Sequence, residues 1–253
     1  MNIALKGILV AAGLAGGAFA LYSSATGTKK KDCYGGQGKP AMDACTFLIK
    51  WQQGAGKAEA LYKRSRLYAV QELYDREFSD LEAILPFIKS PSLSPSRRAE
   101  VYAALSIAAG RKRDQAAAMK YSELAVKEGT ADPQVYLSLA GAYIEASRFQ
   151  EAAALLEGAA GIEKKHPYYN TLAAAYGGLG NYPQAYEALK TGLTVNAPRP
   201  VLAETAKHMG LVCFELKRYK EAELYLNYAQ KSGAECPECP LLLTTIRESL
   251  GDY

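Results

Sequence analysis

"LAAAYGGLGNYPQAYEAL", residues 172–189, decides how the chain is read. It holds one charge, Glu187, and no histidine or cysteine, yet its small and aromatic residues stand in an ordered series. Nothing in it could serve as nucleophile, general base or metal ligand. The placing of Ala173, Tyr176, Gly180, Tyr182, Ala185 and Leu189 therefore has to be explained by packing. Two antiparallel helices approach closely only where small side chains meet at their crossing. Ala173 and Ala185 are the expected crossing, Tyr176 and Tyr182 fill the space beside it, and "GLGNYP" is the turn between the two helices.

The same series recurs. At an offset of 33, "LAGAYIEASRFQEAAALL", residues 139–156, puts Leu139, Ala140, Tyr143, Phe149, Ala152 and Leu156 in the places of Leu172, Ala173, Tyr176, Tyr182, Ala185 and Leu189. At an offset of 37, after the longer connector "NAPRPVLAE", Met209, Gly210, Cys213, Tyr219, Ala222 and Leu226 take those places. An earlier copy, carrying Tyr102, Leu105, Ser106, Ala109, Ala118 and Ala125, has lost the aromatics. Each copy reads as a helical hairpin with one apolar face left bare, so successive copies have to stack on one another.

These residues resemble the tetratricopeptide repeat (TPR) family, whose helical hairpins recur about every 34 residues. "YNTLAAAYGGLGNYPQAYEAL" carries the resemblance most fully and "MGLVCFELKRYKEAELYLNYA" next. It covers residues 99–232 as a regular array and residues 40–90 more loosely. In "ALYKRSRLYAVQELYDREFSDLEAIL", Tyr68 and Tyr74 fit, but Glu77 occupies a place meant for a small residue. "AMDACTFLIK" is similar to the second helix of a partial repeat, "SPSLSPS" at 90–96 is a loop, and residues 237–253 are expected as a capping helix. The resemblance implies an all-α fold, a right-handed superhelix of hairpins (an α-solenoid), and a protein-binding role without catalysis or cofactor.

The ends and the bulk composition bound the remaining readings. A chain of 253 residues with 49% hydrophobic content can bury a sizeable core. Its net charge of +4, from 30 basic and 26 acidic residues, is no nucleic-acid footprint, and the short "RKR" at Arg111–Arg113 reads as a solvated turn. Residues 7–28 carry no charge, lie between Lys6 and Lys29–Lys31, and include "AFA" at Ala18–Ala20. Residues 1–20 are therefore expected to be a secretory signal, with an uncleaved membrane anchor and a cytosolic domain as the alternative. Residues 21–39 are expected as a flexible leader.

Five cysteines leave one unpaired if disulfides form. Cys33 and Cys45 form a plausible local clip in an exported, periplasmic or secreted protein. Among Cys213, Cys236 and Cys239 one disulfide is expected, with Cys236 and Cys239 as the committed pair and a buried thiol left over. A redox pair in "ECPECP" and a zinc site made of His208, Cys213, Cys236 and Cys239 are the competing readings. His166, beside Pro167 at the start of a repeat, is expected to be exposed. No Gly-rich phosphate loop, Ser-His-Asp set or clustered carboxylate pair is visible.

In the family the first helix of each hairpin lines the concave face. The matching positions are Leu137, Gly141, Ile144 and Glu145, then Asn170, Ala174, Gly177 and Gly178, then Lys207, Leu211, Phe214 and Glu215. Ala174 and Leu211 stand where a clamp for an acidic C-terminal tail would need polar residues. The expected ligand is an apolar peptide or protein segment, bedded on Leu137, Ile144, Leu211 and Phe214, with Asn170 and Lys207 fixing its register. The expected function is an exported adaptor or assembly factor with a protein or peptide partner. No nucleic acid is expected, and membrane contact only through an uncleaved N-terminus. A subunit stacked into a larger assembly through its repeat ends is the structural alternative.

Overall fold

The computed structural model describes residues 26–251. The expected signal or anchor at 1–20 lies outside them. Among the described residues every regular element is helical: α1, described over 26–35, α2 (Gly38–Trp51), α3 (Gly54–Val70), α4 (Tyr74–Glu82), α5 (Pro95–Arg111), α6 (Gln115–Lys127), α7 (Pro133–Glu145), α8 (Phe149–Glu157), α9 (His166–Gly178), α10 (Tyr182–Thr194), α11 (Arg199–Glu215), α12 (Tyr219–Lys231) and α13 (Cys239–Leu250). A single 3-10 turn, Leu85–Phe87, follows α4. None of these helices is long and apolar enough to cross a membrane. The described residues divide into two compact units, parted between Gly129 and Thr130.

In the first unit α3 pairs with α4 and α5 with α6. Residues 26–35, read as part of a flexible leader, are instead helical. Cys33 stands at disulfide distance from Cys45, Sγ–Sγ 2.08 Å, and both are buried with Ala41, Ala44 and Leu48. The Gly-rich "CYGGQGKP" supplies only a two-residue break, at 36–37. Gly36 is needed there, because a Cβ would lie 2.3 Å from the carbonyl oxygen of Asp32.

Glu77 explains how the irregular α3–α4 hairpin closes. It occupies the place of Ala152, Ala185 and Ala222 and is as fully buried as they are. A lone buried carboxylate would be strongly destabilising. Here Arg111 donates to Oε2 at 2.8 Å and Arg66 lies 3.7 Å from Oε1. The Arg111 guanidinium also stacks over Tyr74 at 4.9 Å. The "RKR" run is thus only partly a solvated turn: Arg111 ties α5 to α4, and Lys112 pairs with Asp75 at 3.2 Å. Nearby, Arg64 grips Asp80 with two hydrogen bonds of 2.8 and 2.7 Å.

The second unit is regular. α7 pairs with α8, α9 with α10 and α11 with α12, first helices stack α7 on α9 and α9 on α11, and α13 closes against α12. Leu139, Leu172 and Met209 are buried, as are Ala140, Ala173 and Gly210, the alanines Ala152, Ala185 and Ala222, and Leu156, Leu189 and Leu226. The small crossing position is tightest at Gly210, where a Cβ would meet Leu226 Cδ2 at 2.6 Å. Capping follows the sequence closely: Asp132 accepts from the Gln134 N–H, Asn181 from the Gln184 N–H, and prolines 133, 167, 183, 200 and 240 sit in first turns.

Five hairpins share one turn. The second residue after each first helix is left-handed: Glu72, Arg113, Ser147, Gly180 and Lys217, with φ of 58°, 61°, 58°, 70° and 60°. The next residue's N–H then bonds back to the carbonyl five residues earlier, from Leu73, Asp114, Arg148, Asn181 and Arg218 to Tyr68, Ala109, Tyr143, Tyr176 and Cys213. This is the 6→1 bond of a Schellman cap. It falls on the same repeat position each time, so the turn and the core keep a common register.

Candidate interaction site

The first helices of the second unit present Ala174 and Gly177 from α9 and His208, Leu211, Phe214 and Glu215 from α11 around a cavity of about 320 Å³. Ala173, Tyr182, Leu189 and Val212 form its deeper walls, and Leu242 of α13 closes one side. Ligand pockets run to about 300–1,000 Å³, so this one lies at the small end, with room for one large side chain. Gly177 has no atom within 4 Å of where its Cβ would be, which leaves the floor open. Phe214 is braced by Tyr219, ring centroids 6.0 Å apart.

His208 is a half-buried polar group in the mostly apolar lining. Burial, aided by neighbouring Lys207, holds its pKa below the ordinary histidine value, against the pull of Glu204 and Glu238. Near pH 7 it is therefore mainly uncharged and can donate or accept one hydrogen bond. Glu215 is exposed and makes no ion pair or side-chain hydrogen bond among the described residues. Lys207 is committed within the chain: its Nζ lies 2.6 Å from Glu204 and donates to the Glu235 carbonyl at 3.0 Å, which ties α11 to the segment before α13.

Of the expected groove residues, the cavity thus brings together Leu211 and Phe214 with Ala174, Gly177 and Glu215. Leu137 and Ile144 are half-buried on α7 and Glu145 is exposed at its end, all outside this lining. Asn170 is half-buried on α9, with Oδ1 buried and without a hydrogen-bond partner. Gly178 is not part of the floor. The Phe149 ring of α8 rests on it, and a Cβ there would lie 2.3 Å from that ring. Six lining residues, Ala173, Tyr182, Leu189, His208, Val212 and Leu242, went unread as groove residues in the sequence. His208 lies three residues before Leu211 and seven before Glu215, on one helical stripe, so extending the stripe would have found it. Leu242 had no such signal, because the seating of a terminal helix is not part of the repeat.

Two other concavities are explained by the fold. A cleft of about 510 Å³ is lined by Tyr168, Tyr169, Leu172, Tyr176 and Pro183, among others. Two of its hydroxyls already serve the hairpin before it: Tyr168 donates to the Leu156 carbonyl at 3.0 Å and Tyr176 to the Glu157 carboxylate. Burial and that carboxylate push the Tyr176 pKa up to about 12. In the first unit, a polar hollow of about 430 Å³ holds Glu59 and Arg97, which are paired with each other at 2.8 Å.

His166 is not exposed. It is 2% accessible, donates from Nε2 to the Val195 carbonyl at 2.8 Å, and sets Nδ1 3.1 Å from the Thr205 hydroxyl. It pins the start of α9 to the connector before α11 and to α11 itself, the two helices that flank the cavity. Cys236 and Cys239 stand at disulfide distance, 1.96 Å, at the start of α13, while Cys213 is a free, fully buried thiol. Desolvation pushes that thiol up to about 11, far from a reactive thiolate. Among the described residues no three His, Cys, Asp or Glu side chains gather as metal ligands.

No protein-family model and no curated protein matches the chain. Solved structures do. One is YrrB, described as a TPR protein with an unusual peptide-binding site, at 15% identity and TM-score 0.64 over 81% of this chain and 98% of that one. Pseudomonas aeruginosa PilF shares 17% identity at TM-score 0.57, over 77% of this chain and 85% of that one. MamA from Desulfovibrio magneticus RS-1 shares 15% at TM-score 0.57, over 69% and 94%. Likeness at such identities is likeness of fold, and the fold is that of the tetratricopeptide-repeat α-solenoids.

Proposed function

We propose that the chain is a non-enzymatic interaction module, exported from the cytosol, that docks a peptide or protein segment by seating one apolar side chain in the cavity between α9, α11 and α13. The cavity itself carries this reading: it is apolar, sized for one side chain, and opens on the first-helix face by which TPR hairpins hold segments of other proteins. The peptide-binding site in the name given to the fold neighbour YrrB is in keeping with it. Two cysteine pairs at disulfide distance support an oxidising compartment.

Selection of a random 12-residue peptide library on the full chain, counter-screened against Leu211→Asp, tests it. The expected outcome is a consensus built on one large apolar residue. Affinity should fall about thirtyfold in the variant, as for an anchor pocket spoiled by a charge, with helicity and melting temperature kept. Selected peptides that bind Leu211→Asp equally well would move the docking point elsewhere.

A further inference from the structure

Charge at the mouth of this cavity has one sign. Glu215 is one of its lining residues and Glu238, at the start of α13, lies close enough to His208 to act on that ring; neither has an ion-pair partner among the described residues. Lys207, next to His208 in the chain, is neutralised by Glu204 at 2.6 Å and turned to the Glu235 carbonyl. His208 contributes little positive charge near neutral pH, since burial keeps its ring mainly unprotonated. The surroundings agree in sign. Although the whole chain is basic, residues 130–253 hold 11 Lys and Arg against 14 Asp and Glu, a net charge of −3. Residues 1–129 hold 19 against 12, a net of +7.

An acidic ligand would thus leave Glu215 facing a like charge, with Lys207 already engaged by Glu204 and the Glu235 carbonyl. A cationic one would complete the ion pair that Glu215 lacks and would be drawn in by the field of its unit. Resting on the reading of the cavity as the docking point, we propose that the partner is a basic-apolar segment: a Leu-, Met- or Phe-sized side chain fills the cavity, and a Lys or Arg close to it in sequence reaches Glu215. The apolar anchor supplies most of the affinity, and the charge selects among anchored segments and sets their direction along α11. A rim ion pair contributes modestly and is weakened by salt, so selectivity is sharpest at low ionic strength.

The test uses four synthetic 12-residue peptides in a Gly-Ser background, with fluorescence anisotropy on the full chain. Three carry one central Leu flanked by two Lys, two Ser or two Glu, and the fourth carries two Lys and no Leu. The Lys-flanked Leu peptide is expected to bind about fivefold to tenfold more tightly than the Glu-flanked one in low salt, with the difference shrinking as salt is raised. Glu215→Lys should reverse that order, and Leu211→Asp should weaken every Leu-bearing peptide. Equal binding of the three Leu peptides, with sensitivity to Leu211→Asp kept, would overturn the charge preference and leave the cavity reading standing. Binding that follows lysine without leucine, or that ignores Leu211→Asp, would overturn both.

Discussion

A single residue sets each hairpin turn, and four of the five carry a side chain in a conformation that glycine tolerates best. Glu72, Arg113, Ser147 and Lys217 are left-handed, as Gly180 is. The left-handed region costs a residue with a Cβ about 1–2 kcal/mol. What holds it is the backbone bond from the following residue to the core position of the first helix. Gly180→Ala should therefore lower the melting temperature although the added methyl has room. Lys217→Gly should raise it, each by the equivalent of about 1 kcal/mol less the entropy glycine adds to the unfolded chain. Lys217 makes no ion pair among the described residues, so nothing else is lost with it. Thermal melts followed by circular dichroism check this; the opposite order would mean that the turn does not limit stability. The turn was legible in "GLGN", where a glycine marks it, and in the polar "EASRF", but the left-handed strain on Ser147 and Lys217 was not, because it is imposed by the fold.

At the scale of elements, the periodic residues told where helices lie but not how the less regular ones are fastened. α1 was read as loose chain because glycines follow it, yet Cys33 draws it into the core beside Cys45. Glu77 was noticed as out of place; the two arginines that make it tolerable sit on α3 and α5, which no local pattern links to it. His166 was misplaced for the same reason, since its partners lie 29 and 39 residues away. Its removal gives a test. His166→Ala leaves the Val195 carbonyl without its donor and opens a void beside Thr205. The expected cost is about 2 kcal/mol, a fall of about 4–8 °C in melting temperature for a chain of this size. An unchanged melt would mean that the histidine is not a pin between α9 and the helix after the connector. A smaller fall in His166→Gln, which can still donate, would support the hydrogen-bond origin of the effect.

Over the whole molecule, the repeat was legible because six aligned positions recur at near-constant offsets, and burial falls on those same positions in all three hairpins of the second unit, apart from the partly exposed Tyr176 and the second-helix aromatics Phe149, Tyr182 and Tyr219. The candidate site was only half legible. Leu211 and Phe214 could be placed by register, whereas Leu242 and the engagement of Lys207 depend on how α13 is seated after the last repeat. The central claim, that a ligand side chain enters the cavity between α9, α11 and α13, is tested most directly by methyl NMR of the full chain titrated with the Lys-flanked Leu peptide. The account predicts that resonances of Leu189, Leu211, Val212 and Leu242 shift together and saturably. Shifts centred instead on the exposed Leu224 and Leu241, or on Val70 of the first unit, would contradict it.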